Sequence, residues 1–268
     1  MIGLGGVGVE FARPAGALTV LQGLDLTIHR GDFTCILGPS GSGKTTILNL
    51  IAGFIRPTHG SVVVEGRESP SPGRDRGYVF QHHGLFPWKS IAQNIEFGLL
   101  IRGVPRSERR AQVHRIAGAV GLGDFLDDRP DQLSGGMQQR AGLARVLVNE
   151  PEILLMDEPF SSLDAMTAQQ MREFLARLLA PAPKTVVFVT HDVDEALFLA
   201  DRVILLSERP GRVVLDERVQ LARPRSEDIV GEKSYLQLRS LIYSHLFGRE
   251  NAPASDSDNA LRPSTAKD

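Results

Sequence analysis

The run Gly38-Pro-Ser-Gly-Ser-Gly-Lys-Thr-Thr46 constrains this chain more than any other, matching G-x-x-x-x-G-K-[ST] without a mismatch. Before it stands Phe33-Thr-Cys-Ile-Leu37, an apolar, β-branched run of buried-strand type. After it, Ile47-Leu-Asn-Leu-Ile-Ala52 continues a helix that Gly53 can stop. Strand, glycine-rich loop and helix in that order predict a phosphate-binding loop. Its glycines, Gly38, Gly41 and Gly43, let the backbone fold tightly around an anion. Pro39, Ser40, Ser42 and Thr46 complete the cradle, and the helix start adds its dipole at the same spot. Lys44 supplies a point charge for the β- and γ-phosphates, and Thr45 a hydroxyl for Mg²⁺.

Further along, Ile153-Leu-Leu-Met156 runs into Asp157-Glu158-Pro159. Four apolar residues ending in acid describe a buried parallel strand with carboxylates at its C-terminal edge, where ligands bind in open α/β sheets. Asp157 is placed to hold Mg²⁺, and Glu158 to orient or deprotonate a water. Leu133-Ser-Gly-Gly-Met137 opens a helix in which Ser134 is a good N-cap. Gly135 and Gly136 leave the first-turn N–H groups uncovered, an anion-seeking start. Lys184–Thr190 reads as another buried strand stopping at His191, and Asp192-Val-Asp-Glu195 resembles an N-cap with an acid three residues on.

The remainder is organised around these motifs. Residues 1–31 alternate as antiparallel strands, and Phe11 among them either stacks on a nucleotide base or is a half-buried strand aromatic. Residues 67–76 read as a polar loop. Ile91–Leu100 and Ser107–Val120 carry helical patterns and, with 121–130, suggest a small helical insertion. Arg109, Arg110 and Arg115 fall on its solvated face. Leu85-Phe-Pro-Trp88 is an apolar loop that composition assigns to the protein's own core before a partner surface. The His82-His83 pair lacks further spaced ligands and reads as loop. Cys35, the single cysteine, reads as a small buried thiol. Beyond Arg249 a Ser-, Asp-, Ala- and Pro-rich tail is expected to be disordered.

The 268 residues carry 30 Lys+Arg against 32 Asp+Glu, so nothing favours nucleic-acid binding. No apolar run approaches the roughly 20 residues of a membrane span, and no signal peptide is legible. The chain is therefore expected to be soluble and cytoplasmic, with any membrane role exercised through a partner.

Six motifs in one order, over about residues 2 to 247, resemble the ATP-binding subunits of ABC transporters: the loop 38–46, Gln81, Leu133–Met137, Ile153–Glu158, Ser161–Asp164 and His191. Leu85–Trp88, Leu155–Phe160, Val189–Leu199 and Arg209–Arg212 look like the nitrate/sulfonate/taurine branch of bacterial importers. The resemblance implies an α/β fold: a P-loop NTPase core with a mostly parallel sheet, an N-terminal antiparallel β-subdomain, and a helical subdomain at about 85–150. The ATP-binding domain would span 1–247, and 248–268 would be the tail.

The resemblance further implies a head-to-tail homodimer with two ATP molecules and Mg²⁺ at its interface. Ser134, Gly135 and Gly136 of one subunit would contact the γ-phosphate held by the other. Glu158 would be the catalytic base, and His191 would contact the γ-phosphate. Gln81 would sense the Mg²⁺ and the attacking water, and Asp164 would link the two sites. It favours the base-stacking role for Phe11, and it turns Phe86, Pro87 and Trp88 into the contact with a membrane subunit. The implied partners are two transmembrane permease subunits and, indirectly, a periplasmic solute-binding protein. The implied location is the cytoplasmic face of the plasma membrane. One departure from the family pattern is Gly142 inside the helix after Ser134, which costs about 1 kcal/mol relative to Ala.

Two other classes are less compatible with the chain. DNA-repair relatives separate the first and third motifs by long coiled coils, where this chain has about 90 residues without heptads. Translation-factor relatives carry two cassettes. A small-metabolite kinase would leave Ser134–Gly136 and His191 unexplained.

Overall fold

The computed structural model describes residues 1–248, apart from 15, 69–70, 82–83 and 181–183. The expected tail beyond Arg249 and the His82-His83 pair lie outside the described residues.

In chain order, β1 (Ile2–Arg13), β2 (Gly16–Ile28) and β3 (Phe33–Leu37) lead into α1 (Lys44–Ala52). Then come β4 (His59–Val64), β5 (Arg67–Glu68), β6 (Arg76–Val79) and a run of helices: α2 (Ile91–Ile95), α3 (Phe97–Ile101), α4 (Arg106–Ala119) and α5 (Gly135–Leu147). The second half alternates: β7 (Ile153–Asp157), α6 (Ala165–Leu179), β8 (Thr185–Thr190), α7 (Val193–Leu199), β9 (Arg202–Leu206), β10 (Val213–Arg218) and α8 (Lys233–Phe247).

The strands form two sheets. One is antiparallel, in the order β2-β1-β4-β5. The other has the order β10-β9-β3-β8-β7-β6 and is parallel except for β10. β3, β7 and β8 are buried at every residue, as strands covered on both faces must be. Ile36, Leu155 and Val187 face α1 and the antiparallel sheet. Cys35, Met156 and Phe188 face the opposite way, onto residues of α5, α6, α7 and α8. Burial pushes the Cys35 thiol well above its ordinary range, in keeping with an inert core position. A third cluster, with Ile91, Leu99, Val113, Ala117 and Leu133 among its members, gathers α2 to α5.

Three expectations need correction. Residues 67–76 are not all loop, because Arg67 and Glu68 pair with Val64 and Val63 as β5. The helix expected across Ile91–Leu100 is interrupted at Glu96, although its i to i+4 bonds carry across the break (Glu96 N to Ala92 O, Leu100 N to Glu96 O, both 2.9 Å). Arg109 is not solvated. Its side chain is 14% exposed and bonds the Glu96 carboxylate at 3.0 Å, whereas Arg110 and Arg115 are exposed as expected. Gly53 does end α1 in the left-handed conformation, its N–H reaching the carbonyls of Asn49 and Leu50.

Candidate active site

The C-terminal ends of β3, β7 and β8 meet at one place. After β3 the chain enters the glycine-rich loop, where Gly41 and Gly43 take φ values of 80° and 96°. A Cβ on Gly43 would come within 2.6 Å of Leu21 Cδ2, so both backbone conformation and space demand glycine there. Lys44, at the first turn of α1, is 5% exposed and donates to Gly38 O (2.8 Å) and Pro39 O (3.2 Å). Its ammonium also lies 3.5 Å from Glu158 Oε1. Among the described residues Ser42 Oγ is buried without a hydrogen-bond partner, a spare polar group inside the cradle.

β7 delivers the two acids to different environments. Asp157 ends the strand, 7% exposed, and accepts from Thr45 Oγ1 (2.9 Å) and from Tyr78 OH (3.2 Å). Burial raises its pKa, and the neighbouring Glu158 charge adds to that, while the two hydroxyl donors oppose it. Its contact pushes the Tyr78 phenol up in turn, after burial as the larger cause. Glu158 turns out of the strand at φ 41°, an unfavourable region for a side chain of this size, held by its N–H to Val189 O at 2.9 Å. That turn carries its carboxylate to His191, whose Nδ1 lies 3.0 Å from Glu158 Oε2. Gln81 reaches the same region through Ser161: Gln81 Nε2 donates to Ser161 Oγ (3.3 Å), and Ser161 Oγ donates to Glu158 O (2.9 Å).

Lys44, Thr45, Asp157, Glu158, His191 and Gln81 are thus brought together. Thr45 and Asp157 present hard oxygens side by side, the donor chemistry Mg²⁺ takes when it keeps several waters and few protein ligands. Tyr78, whose hydroxyl also lies 3.2 Å from Asn49 Oδ1, belongs to this cluster but carries no mark in the sequence. A tyrosine in an apolar strand carries no signal until its strand is known to lie beside β7.

Other candidate residues stand apart. Ser134 caps α5 as expected, accepting from Met137 N (3.4 Å), and the helix runs through Gly142 without a break. Ser134 and Gly135 are exposed, and among the described residues no hydrogen bond joins them to the glycine-rich loop. They lie by the start of α6 instead: a Cβ on Gly136 would meet Thr167 Cγ2 at 2.9 Å. Asp164 caps α6, accepting from Thr167 N (3.0 Å) and Thr167 Oγ1 (2.7 Å), contacts that lower its pKa. Phe11 is 41% exposed on β1.

The loop at Leu85–Trp88 divides. Phe86 is half-buried, edge-on to Phe97 (centroids 4.7 Å) and beneath the Arg145 guanidinium (5.4 Å). Trp88 is 69% exposed, which overturns the core assignment drawn from composition. Buried Asn94 pins the loop backbone, accepting from Phe86 N (2.7 Å) and donating to the carbonyls of Phe86, Lys89 and Ser90. The acid at Glu195 also differs from expectation. Asp192 caps α7 through Asp194 N (2.7 Å) and Glu195 N (3.1 Å), but the Glu195 carboxylate does not reach back to the Asp192 N–H. It accepts from Thr190 Oγ1 at 2.6 Å, and Thr190 Oγ1 accepts the Asp192 N–H.

Comparison with known proteins bears on this geometry. A family model described as ABC transporter matches residues 21–161. The taurine import ATP-binding protein TauB of Pseudomonas entomophila is 41% identical over 248 residues, 90% of this chain and 95% of that protein. The nitrate import ATP-binding protein NrtD of Synechocystis is 41% identical over 246 residues, 90% of this chain and 92% of that one. Among solved structures, the dimeric post-hydrolysis state of the ATP-binding cassette MJ0796 bound to ADP and Pi superposes with a TM-score of 0.72 at 33% identity. The match covers 83% of this chain and 100% of that one.

Proposed function

This chain belongs to the ABC transporter family and is an ATP-hydrolysing cassette, and from that premise we propose that it energises uptake of a small solute of the nitrate, sulfonate or taurine kind. The relatives named for taurine and nitrate import, aligned over nine-tenths of the chain, support the solute class. The observation that carries the catalytic reading is the placement of Glu158 against both Lys44 and His191 at the C-terminal edge of the sheet.

In this reading the loop Gly38–Thr46 cradles the phosphates with backbone N–H groups, and Lys44 exchanges its loop carbonyls for phosphate oxygens. Thr45 and Asp157, with Gln81 close by, would hold Mg²⁺, which when bound offsets phosphate charge. Glu158 accepts the proton of the water that attacks the γ-phosphorus as the bond to the ADP oxygen breaks. His191 orients that carboxylate and meets the γ-phosphate. Phe11 stacks on the adenine.

The exposed start at Ser134–Gly136 completes the site of a second copy, and Asp164 sits between the two sites. The dimeric state of the structural relative supports this arrangement. Trp88, with Phe86 and Pro87, meets a permease subunit, one of two, at the cytoplasmic face of the membrane. A periplasmic solute-binding protein acts upstream of them. Among the described residues no helix is long and apolar enough to cross a membrane.

Glu158→Gln tests the catalytic assignment. It should bind ATP as the parent does and turn over about 100-fold more slowly, the usual loss with a general base. ATPase activity close to the parent's would remove Glu158 from the role.

A further inference from the structure

His191 has little to hold its ring in place. The side chain is 62% exposed, and among the described residues the imidazole hydrogen-bonds only Glu158 Oε2, at 3.0 Å. The position of the ring therefore depends on the backbone that carries it. That backbone is a link of one residue, because Thr190 ends β8 and Asp192 already caps α7.

Thr190 and Glu195 close a hydrogen-bonded loop around this link. Thr190, 2% exposed, is held in the sheet opposite Leu37 of β3. Its hydroxyl oxygen accepts the Asp192 N–H at 3.0 Å, and its proton goes to Glu195 Oε2 at 2.6 Å. A threonine hydroxyl has one proton, which rotates to suit its partners. Glu195 decides that rotation: with the proton drawn toward the carboxyl, a lone pair is left facing Asp192. The Asp192 carboxylate in turn accepts the N–H groups of Asp194 and Glu195. Both neighbours of His191 are thus tied together through Glu195. Glu158 is referred to the same strand by its N–H to Val189 O at 2.9 Å.

Capping does not account for this acid, since Asp192 performs it. Glu195 is the one charged side chain among the residues that α7 buries, the others being Val193, Ala196, Leu197, Phe198 and Leu199. A carboxyl in such surroundings costs free energy that an apolar residue would avoid. What it adds there is an acceptor aimed at Thr190.

We propose that Glu195 is a positioning residue for ATP hydrolysis: through the Thr190 hydroxyl it fixes the turn that carries His191, and so sets the imidazole against Glu158. The inference rests on the role proposed for His191 above. Glu195 itself, buried behind β8, touches neither nucleotide nor water in this arrangement.

Steady-state ATPase kinetics of the full chain test this, with ATP binding and melting temperature measured for each variant. Glu195→Ala should lower kcat about tenfold at unchanged KM for ATP, within the roughly 100-fold that a displaced group can cost. Glu195→Gln, whose amide oxygen still accepts from Thr190, should return most of that loss. Thr190→Val, which keeps the β-branched shape and removes the hydroxyl, should reproduce it. The cycle with His191→Ala separates positioning from a general structural role. In that background Glu195→Ala should lower kcat by less than about twofold further, because its effect runs through the imidazole. If Glu195→Ala fails to fold, Thr190→Val takes its place in the cycle. The same loss in both backgrounds, or the parent's kcat in Glu195→Ala, would overturn the inference while leaving His191 its role. The parent's kcat in His191→Ala would overturn that role and the inference with it.

Discussion

Glu195 shows what one carboxyl can do when its neighbours re-aim it. The sequence places it third in a helix, where an acid ordinarily reaches back to the cap. In the fold it is 6% exposed and takes the Thr190 hydroxyl instead. Burial raises it to about 7, with Asp192 adding and Thr190, Arg172 and His191 opposing. The sign follows from proton counting. Between its ordinary 4.5 and about 7 the folded chain keeps this proton and the unfolded chain has released it. Stability therefore falls as pH rises through that window and levels off above it, by an amount on the order of a few kcal/mol. Glu195→Gln, which preserves the acceptor for Thr190, should flatten the melting temperature across the same pH range. An unchanged slope would show that another group titrates there. Which way the Glu195 side chain turns was not legible in sequence, because both partners lie within its reach along the chain. The roles read for Lys44 and Asp157 rest on types and spacing that the fold then juxtaposes. The left-handed φ of Glu158 had no signal in the sequence, since that turn is imposed by the bond to Val189 on the neighbouring strand.

Among the elements, those with a period of their own were the legible ones. β3, β7 and β8 announce themselves as apolar runs, α5 by Met137, Ala141 and Ala144 and α6 by Met171, Phe174, Leu175 and Leu178, spaced three and four apart. β5 is a two-residue strand folded back on Val63–Val64, too short to carry a period, and the break at Glu96, whose carboxylate Arg109 holds, interrupts an apolar pattern that runs on unbroken. The loop before α2 is the instructive case. Composition treats Leu85–Trp88 as one apolar unit, yet Asn94 fixes its backbone so that Phe86 packs inward while Trp88 stands out. Because Trp88 buries little in its own chain, Trp88→Ala should change stability by no more than about 0.5 kcal/mol. Co-purification with the proposed permease subunit should be lost while ATP binding persists. Intact assembly and transport in that variant would leave Trp88 an idle surface residue.

At the scale of the molecule, the cradle at Gly38–Thr46 and the helix start at Ser134 occupy one chain with no hydrogen bond between them among the described residues, and the shared site proposed above would need a second copy. Specific ATPase activity should therefore rise with protein concentration until the dimer saturates. A flat profile from dilute monomer to dimer would show that one chain suffices. The separation also reaches into inheritance. Suppose a cell carries two alleles, one ruined at Lys44 and the other at Ser134. Each makes a useless homodimer. In the mixed dimer both lesions fall into the same composite site, and the other site is rebuilt whole from the sound half of each chain. Two recessive defects would then complement within a single gene, whereas two alleles damaged in the same half would not.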